Sequence, residues 1–173
     1  MNAFVLDKDP IQAARYHNDK HCVKMVVETM QCLGSAVIRH GAQPDAMPLT
    51  VKGTPLKGGY HNHPVTRWVG DSRANYEWTC QLGLELCREY TFRYEKVHAC
   101  QKSIEHLSKM SQYIPDGDMT EFAIAISPEQ TCRQHPNFDS LDAVTKYRLY
   151  YMYDKKSFCT WKKRPTPEWF KIN

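Results

Sequence analysis

The sequence lacks any segment that would hold the chain in a membrane or direct it out of the cell. No apolar run approaches the roughly 18 residues of a transmembrane helix. The opening stretch MNAFVLDKDP has neither the charged part nor the long apolar part of a signal peptide. We therefore expect a cytosolic protein with no membrane partner.

Paired cysteines are also lacking. The seven cysteines are an odd number, and none of them forms a CxxC pair. Cysteines stay reduced in the cytosol, and we expect several of them, such as Cys32 and Cys87, to fill the core. A disulfide framework is therefore not expected.

The common sequence signatures of enzymes are missing as well. The chain shows no Ser–His–Asp order, nucleophile elbow, Walker loop or GxGxxG motif. It also has no internal repeat, low-complexity tract or domain linker. Fold and function must therefore be read from helical patterns and from clusters of polar residues.

Composition and spacing predict a mainly α single domain over residues 1–173, built as a helical bundle of about four helices. The length suffices for one core, and Ala3–Leu6 is predicted to form a short N-terminal extended segment. Prolines, glycines and capping residues bound the helices. The expected helices span about 11–39, 64–98, 99–111 and 141–161, with loops over 41–60 and 127–138 and an undecided apolar stretch over 122–126.

The C-terminal segment 146–173 is basic and aromatic. It carries eight lysines and arginines against two acidic residues, a net charge of +6 in a chain whose total is +4. Tyrosines alternate with these cations, a pattern typical of a groove that follows a nucleic-acid backbone and stacks its bases. The alternative is a solvated tail whose Trp161, Trp169 and Phe170 fasten it to the core.

A stripe of proton-handling groups lies in the stretch YHNDKHCVKMVVETMQ. Drawn as one helix, this stretch places His17, His21, Lys24, Glu28 and Gln31 within about 80° of one another. Two histidines at i and i+4 suit a metal, but the lysine within the stripe would repel a cation. Three interpretations stay open: an anion-binding or acid–base site, a metal site, and a solvated, salt-bridged face.

A second cluster lies at the start of the second predicted helix. His61, Asn62 and His63 come just before it, where free N–H groups and the helix dipole attract anions. Arg67 follows one turn along. The alternative is that His61 caps the helix and His63 packs against Trp68.

A set able to read a nucleic-acid base follows in the same predicted helix. Arg67, Trp68 and Asn75 lie within two turns and could stack on a base and hydrogen-bond it. Tyr76 is a further stacking candidate. Core packing is the alternative role of these aromatic rings.

Four stretches carry patterns that extend over nearly the whole chain. They are DP…AA.YH.DKH..KM..E from Asp9 to Glu28, NHP.T.W…S..NYEW from Asn62 to Trp78, LGL.LC.EYT.RY.K.H from Leu82 to His98, and YR.YY…K…..WKKR.TP.W from Tyr147 to Trp169. Together they resemble a family of short uncharacterised proteins encoded by tailed phages, although AIAISPEQT departs from that family's PDEY-like segment. The resemblance implies a small phage accessory protein in the cytoplasm of a bacterial host and brings no established activity.

These patterns favour an enzyme that acts on nucleic acid or a nucleotide by acid–base chemistry at a base or sugar–phosphate, as a glycosidase, nuclease or base-modifying enzyme. One alternative is a non-catalytic phage protein that binds a host protein or a signalling nucleotide. Another is a helical His/Glu metal protein, which would require a divalent ion. No cofactor is otherwise predicted.

The candidate residues divide into two groups. Those with catalytic groups all come from the first predicted helix and are His17, His21, Glu28 and Lys24. Those expected to bind substrate are cations, rings and polar groups from the second helix and the tail: His61, Asn62, His63, Arg67, Trp68, Asn75, Tyr76, Arg148, Tyr151, Lys155, Lys156, Lys163 and Arg164.

Overall fold

Helices form nearly all of the regular structure. The computed structural model describes residues 1–171, and the prediction of a mainly α fold is confirmed. No strand occurs in this described part, where Leu49 and Pro55 form an isolated antiparallel bridge. The α-helices are α1 (Pro10–Tyr16), α2 (Asp19–Arg39), α3 (Pro64–Val69), α4 (Arg73–Tyr94), α5 (Gln101–Leu107) and α6 (Ala143–Tyr150).

The first predicted helix is in fact two helices, α1 and α2. Asn18 is extended, and its side chain accepts a hydrogen bond from the His21 backbone N–H at 2.9 Å. Asparagine is a favoured N-cap, and the acidic Asp19 in the first turn suits the positive end of the helix dipole. The prediction of one helix over 11–39 is wrong, because a local cap interrupts the apolar pattern that continues across it.

The second predicted helix is divided in the same way. α3 ends at Val69, with Gly70 as its C-cap, and α4 starts after Ser72. The Ser72 hydroxyl accepts from the Asn75 N–H at 3.2 Å, which again makes a capping residue the point of division. The side chains of the two helices therefore do not follow one continuous helical register.

The last helix is shorter than predicted. α6 ends at Tyr150, and the chain continues as a π-helical turn over Tyr151–Lys155 and a 3₁₀ turn over Lys156–Phe158. A π turn changes the angular position of the residues that follow it, and such turns are frequent at functional sites. The prediction of one α-helix over 141–161 is therefore wrong beyond Tyr150.

The N-terminal segment belongs to no helix or strand, and Asn2–Leu6 are buried. Leu6 is fully enclosed, and its carbonyl accepts from the Arg148 guanidinium at 2.9 Å. The side-chain amide of Asn2 donates to the Ala125 carbonyl at 2.9 Å. The segment therefore forms hydrogen bonds with a side chain and a loop carbonyl rather than with a neighbouring strand. It lies between α6 and the stretch 122–126.

The longest helices are α2 and α4, with 21 and 22 residues. They pack closely, and a Cβ on Gly83 of α4 would lie 2.9 Å from the Thr29 methyl group of α2. Within residues 1–171, neither these nor the other helices combine the length and apolar character needed to cross a bilayer.

The guanidinium of Arg93 joins α4 to the junction of α1 and α2. It is fully buried and donates to the carbonyls of Arg15 and His17 at 3.0 and 2.8 Å. It also pairs with Glu89 on its own helix and with Asp19 at the start of α2, at 3.0 and 3.1 Å. This network fixes where α2 begins relative to the core.

We expect Arg93→Met to lower the free energy of unfolding by about 3–5 kcal/mol, because it leaves the buried Glu89 carboxylate with less compensation. The control is Arg88→Met on the same helix, whose side chain is exposed and should contribute less than about 1 kcal/mol. Urea unfolding measures both. Equal losses in the two variants would contradict the structural role of Arg93.

Candidate active site

A cleft of about 430 Å³ opens beside α2. α2 forms one wall, the buried N-terminal segment forms the floor, and the stretch 124–127 faces them. Such a volume suits a small ligand or a single nucleotide. The lining residues are Met1, Asn2, Phe4, His21, Lys24, Glu28, His63, Ile124, Ala125, Ile126, Ser127, Tyr150 and Lys155.

The Glu28 carboxylate lies between two amino groups in this cleft. Lys24 Nζ is 2.9 Å from Glu28 Oε1, and the amino group of Met1 is 3.7 Å from Oε2. The backbone N–H of Asn2 donates to the same Oε2 at 2.7 Å. Glu28 is largely buried, whereas the Lys24 side chain is 69% exposed. The carboxylate is therefore held by the N-terminal segment and reached by solvent from the lysine side.

His21 lines the cleft as a neutral ring. Burial, followed by the nearby His17 ring and the charges of Lys155 and Lys24, lowers the pKa of His21 to about 3. Its Nδ1 lies 2.6 Å from the Tyr151 hydroxyl and 3.4 Å from the Asn18 amide nitrogen, so Nδ1 accepts and Nε2 carries the proton. The ring also stacks on Phe4 at 4.3 Å. Near neutral pH, His21 can therefore donate a hydrogen bond, but it does not act as a cationic acid.

His17 does not reach the cleft. It is fully buried at the end of α1, where its Nδ1 donates to the Ala13 carbonyl at 2.7 Å. Among the described residues, its Nε2 has no hydrogen-bond partner. Burial lowers the pKa of His17 to about 4, which keeps the ring neutral. The break between α1 and α2 thus removes His17 from the predicted stripe, and it cannot exchange protons with a substrate directly.

Two further predicted residues border the cleft. Lys155, carried by the π turn, lines it and places its ammonium 4.6 Å from the centre of the Tyr150 ring. His63 lines it from the start of α3, and burial, then the amino-terminal charge, lowers its pKa. With Lys24, the ammonium group of Lys155 makes the rim attractive to phosphate oxygens.

Three residues predicted to contact a nucleic-acid base, Trp68, Asn75 and Tyr76, are buried in the core. Trp68 packs edge-on against Trp78, and its carbonyl accepts from the Asn75 amide at 2.9 Å. The Tyr76 hydroxyl donates to the Leu107 carbonyl at 2.7 Å. Burial of Trp68, Asn75 and Tyr76 leaves them no face for a ligand, which corrects their prediction as substrate contacts.

The exposed members of the predicted sets lie outside the lining of the cleft. His61, Asn62 and Arg67 are exposed near the start of α3, and Lys156 is exposed at the end of the π turn. Their position permits contact with a large substrate that extends beyond the cleft, and no described contact assigns them a ligand.

Most of the predicted tail contacts fasten the tail to the body. Arg164 and Lys163 pair with Glu89 and Glu95, and the Arg148 guanidinium lies on the Asp7 carboxylate at 3.1 Å. These cations are therefore engaged within the protein, and no described contact assigns them a nucleic-acid backbone, so that role stays a prediction.

Aromatic residues of the tail also pack against the body of the protein. Tyr151 is fully buried against His21, where it supports the cleft from behind. The indole N–H of Trp161 donates to the Tyr16 carbonyl at 2.9 Å, and Trp161 and Phe170 pack edge-on at 4.8 Å. The alternative in which aromatic residues fasten the terminus to the core thus describes most of this segment.

Sequence reasoning missed the floor and the far wall of the cleft. Asn2 and Phe4 come from the N-terminal segment, and Ile124–Ser127 come from an irregular stretch with no helical period. The buried apolar run Ala3–Leu6 was the one available signal, since a buried run next to a chain end brings that end into the structure. Nothing in the far wall's residue pattern indicates its position.

The described residues include no group of three or more metal-ligating side chains. The cleft combines one carboxylate, two amino groups, two histidines and a second lysine. These groups can move protons, form an imine with an aldehyde carbon and attract phosphate.

Residues 1–102 match the family model described as pyrimidine dimer DNA glycosylase. The match includes the N-terminal segment and α1 to α4, and therefore the residues that surround Glu28. No curated protein and no solved structure matches the chain.

The two neutral histidines make the fold sensitive to acid. The folded-state pKa values of about 4 for His17 and about 3 for His21 lie below the ordinary 6.5. The unfolded chain therefore binds more protons below pH 6.5, and stability falls as the pH falls from about 6.5 to 4. For His17 alone, we expect a loss of about 3 kcal/mol.

The variant His17→Gln should have a lower free energy of unfolding at pH 7. Between pH 7 and 4 it should lose about 3 kcal/mol less stability than the unsubstituted chain. The exposed His61→Gln is the matched control and should keep the full acid loss. Urea unfolding at both pH values measures the difference. An unchanged acid loss in His17→Gln would contradict the assignment.

Proposed function

Because the chain belongs to the pyrimidine dimer DNA glycosylase family, we propose that it excises a damaged pyrimidine from DNA by breaking the glycosidic bond. The Glu28 carboxylate between two amino groups is the observation that carries this proposal. An amine can attack C1′ of the sugar, and a carboxylate beside it can accept and return the proton. Both groups lie in the cleft, within the matched residues.

The α-amino group is the better nucleophile of the two amines. Lys24 is mostly exposed and forms an i,i+4 ion pair with Glu28, which is common on helix surfaces. The Met1 side chain, by contrast, is buried, and its amino group lies 3.7 Å from the Glu28 carboxylate. The Asn2 nitrogen lies 2.7 Å from Glu28. Removal of Met1 would therefore place the new α-amino group in direct contact with the carboxylate.

The proposed reaction replaces one bond at C1′ with another. The amine nitrogen bonds to C1′ while the bond from C1′ to the base breaks, and its electron pair leaves with the base, which takes up a proton. Glu28 accepts the proton released by the attacking amine. The bond from C1′ to O4′ then breaks as the nitrogen lone pair forms a protonated imine with C1′, and O4′ takes the proton that Glu28 holds.

The cleft fits a nucleotide that has been turned out of the duplex. Glycosylases reach the target base in this way, because its reacting atoms are hidden inside stacked DNA. The volume of about 430 Å³ is too small to hold a duplex. Lys24 and Lys155 at the cleft would contact the phosphates on either side of it.

The resemblance to tailed-phage proteins suggests where such an enzyme would act. The resemblance to tailed-phage proteins supports a phage accessory enzyme that acts on DNA in the cytoplasm of an infected bacterium. That origin and that location stay predictions.

We expect Glu28→Gln to lower excision by about 10²–10⁴-fold, because it removes the proton acceptor and keeps the side-chain shape. The substrate is a duplex with one cyclobutane pyrimidine dimer, and cleavage is followed on a gel after alkali treatment. The control is Glu77→Gln on α4, an exposed carboxylate that should leave the rate unchanged. A fully active Glu28→Gln chain would overturn the proposal.

The amine is identified by trapping the imine with sodium borohydride and locating the adduct by mass spectrometry. We expect it on the α-amino group, whose identity N-terminal sequencing establishes. An uncleaved extension before Met1 should abolish trapping but keep DNA binding. Lys24→Gln should keep at least a tenth of the activity, and an adduct on Lys24 would contradict the assignment.

A further inference from the structure

A strained loop carries an exposed tyrosine, Tyr60, three residues before His63, which lines the cleft. Tyr60 has a positive φ of 52°, a conformation that costs a bulky residue free energy. The residue is nevertheless 65% exposed, more than any other Phe, Tyr or Trp in the described part of the chain. Neither core packing nor an aromatic partner among residues 1–171 accounts for this arrangement.

The loop is fixed firmly to α2. Ser35 Oγ donates to the Gly59 carbonyl at 2.9 Å and accepts from the Gly59 N–H at 2.8 Å. Gly58 has φ +68°, and a Cβ there would lie 2.3 Å from Ser35 Oγ. The two glycines therefore allow the backbone to approach α2 closely, and these contacts hold the residues just before Tyr60 in place.

A tight turn connects Tyr60 to the cleft. The His63 N–H donates to the Tyr60 carbonyl at 2.9 Å, which closes a four-residue turn. Such a turn brings its first and last Cα atoms within about 7 Å of each other. Since His63 lines the cleft, the backbone of Tyr60 lies at its edge.

The neighbours of Tyr60 are suited to a polyanion. Lys57, His61 and Asn62 are exposed around it, and Arg67 is exposed one turn into α3. An aromatic ring with cations and hydrogen-bond donors beside it is the combination that binds bases and their phosphates together. A protein or lipid partner would not need the polar groups in this order around one ring.

We infer that Tyr60 stacks on the DNA bases next to the nucleotide that enters the cleft. This inference rests on the proposed function, because turning out a nucleotide leaves a gap in the stack that an inserted ring can fill. Tyr60 is then a positioning residue, since it touches the DNA beside the lesion rather than the reacting atoms. The turn to His63 keeps the backbone of Tyr60 at the edge of the cleft before DNA arrives.

The test measures binding in a background that cannot cleave. Chains carrying Glu28→Gln are titrated with a duplex that holds a tetrahydrofuran abasic analogue opposite 2-aminopurine. We expect Tyr60→Ala to bind this duplex about 5- to 150-fold more weakly and to lose the change in 2-aminopurine emission. Tyr60→Phe should bind within about twofold of the unsubstituted chain. Tyr153→Ala, which removes another exposed ring, should also do so.

A structural role is separated from a binding role by Tyr60→Gly. Glycine adopts a positive φ without strain, so the melting temperature should stay or rise while DNA affinity falls. A lower melting temperature with unchanged affinity would overturn the inference.

The two proposals fail in different ways. Absence of excision and imine trapping by the unsubstituted chain overturns the proposed function. Equal binding and emission in the Tyr60→Ala and unsubstituted chains overturn the role of Tyr60, even when excision occurs. Failure of the unsubstituted chain to bind the duplex overturns both.

Discussion

The buried Arg93 guanidinium is the interaction on which the geometry of the cleft depends. It donates to the carbonyls of Arg15 and His17 where α1 ends, and it pairs with Asp19 of α2 and Glu89 of α4. Glu89 in turn holds Arg164, and Asp19 accepts from the Thr160 hydroxyl at 2.8 Å. Arg93 thus fixes the start of α2 directly and the tail through Glu89 and Asp19. The positions of His21, Lys24 and Glu28 along α2 depend on this network.

The cleft itself combines a buried and a solvated side around one carboxylate. Glu28 meets the N-terminal segment on its inner side and Lys24 on its outer side. His21 adds a neutral ring whose tautomer is set by Tyr151 and Asn18. The cleft therefore holds amino groups, a carboxylate and a neutral histidine, and none of its proton transfers requires a cationic histidine.

Sequence patterns predicted the elements better than the boundaries between them. The apolar spacing of α2 and α4 is strong enough to predict both helices, but the same spacing continues through Asn18 and Ser72, where caps end the register. His21, Lys24, Glu28, His63 and Lys155 were found because their charge or ring is visible in the sequence. Asn2 and Ile124–Ser127 were missed because tertiary packing alone brings them there.

The two walls of the cleft come from different parts of the chain. Glu28, Lys24 and the N-terminal segment lie within the matched residues 1–102, whereas the stretch 124–127, Tyr150 and Lys155 come from the remainder. Mutations in the far wall can thus reshape the cleft while the carboxylate and its amines keep their positions. The shape of the cleft and the carboxylate within it are therefore set by separate stretches of the chain.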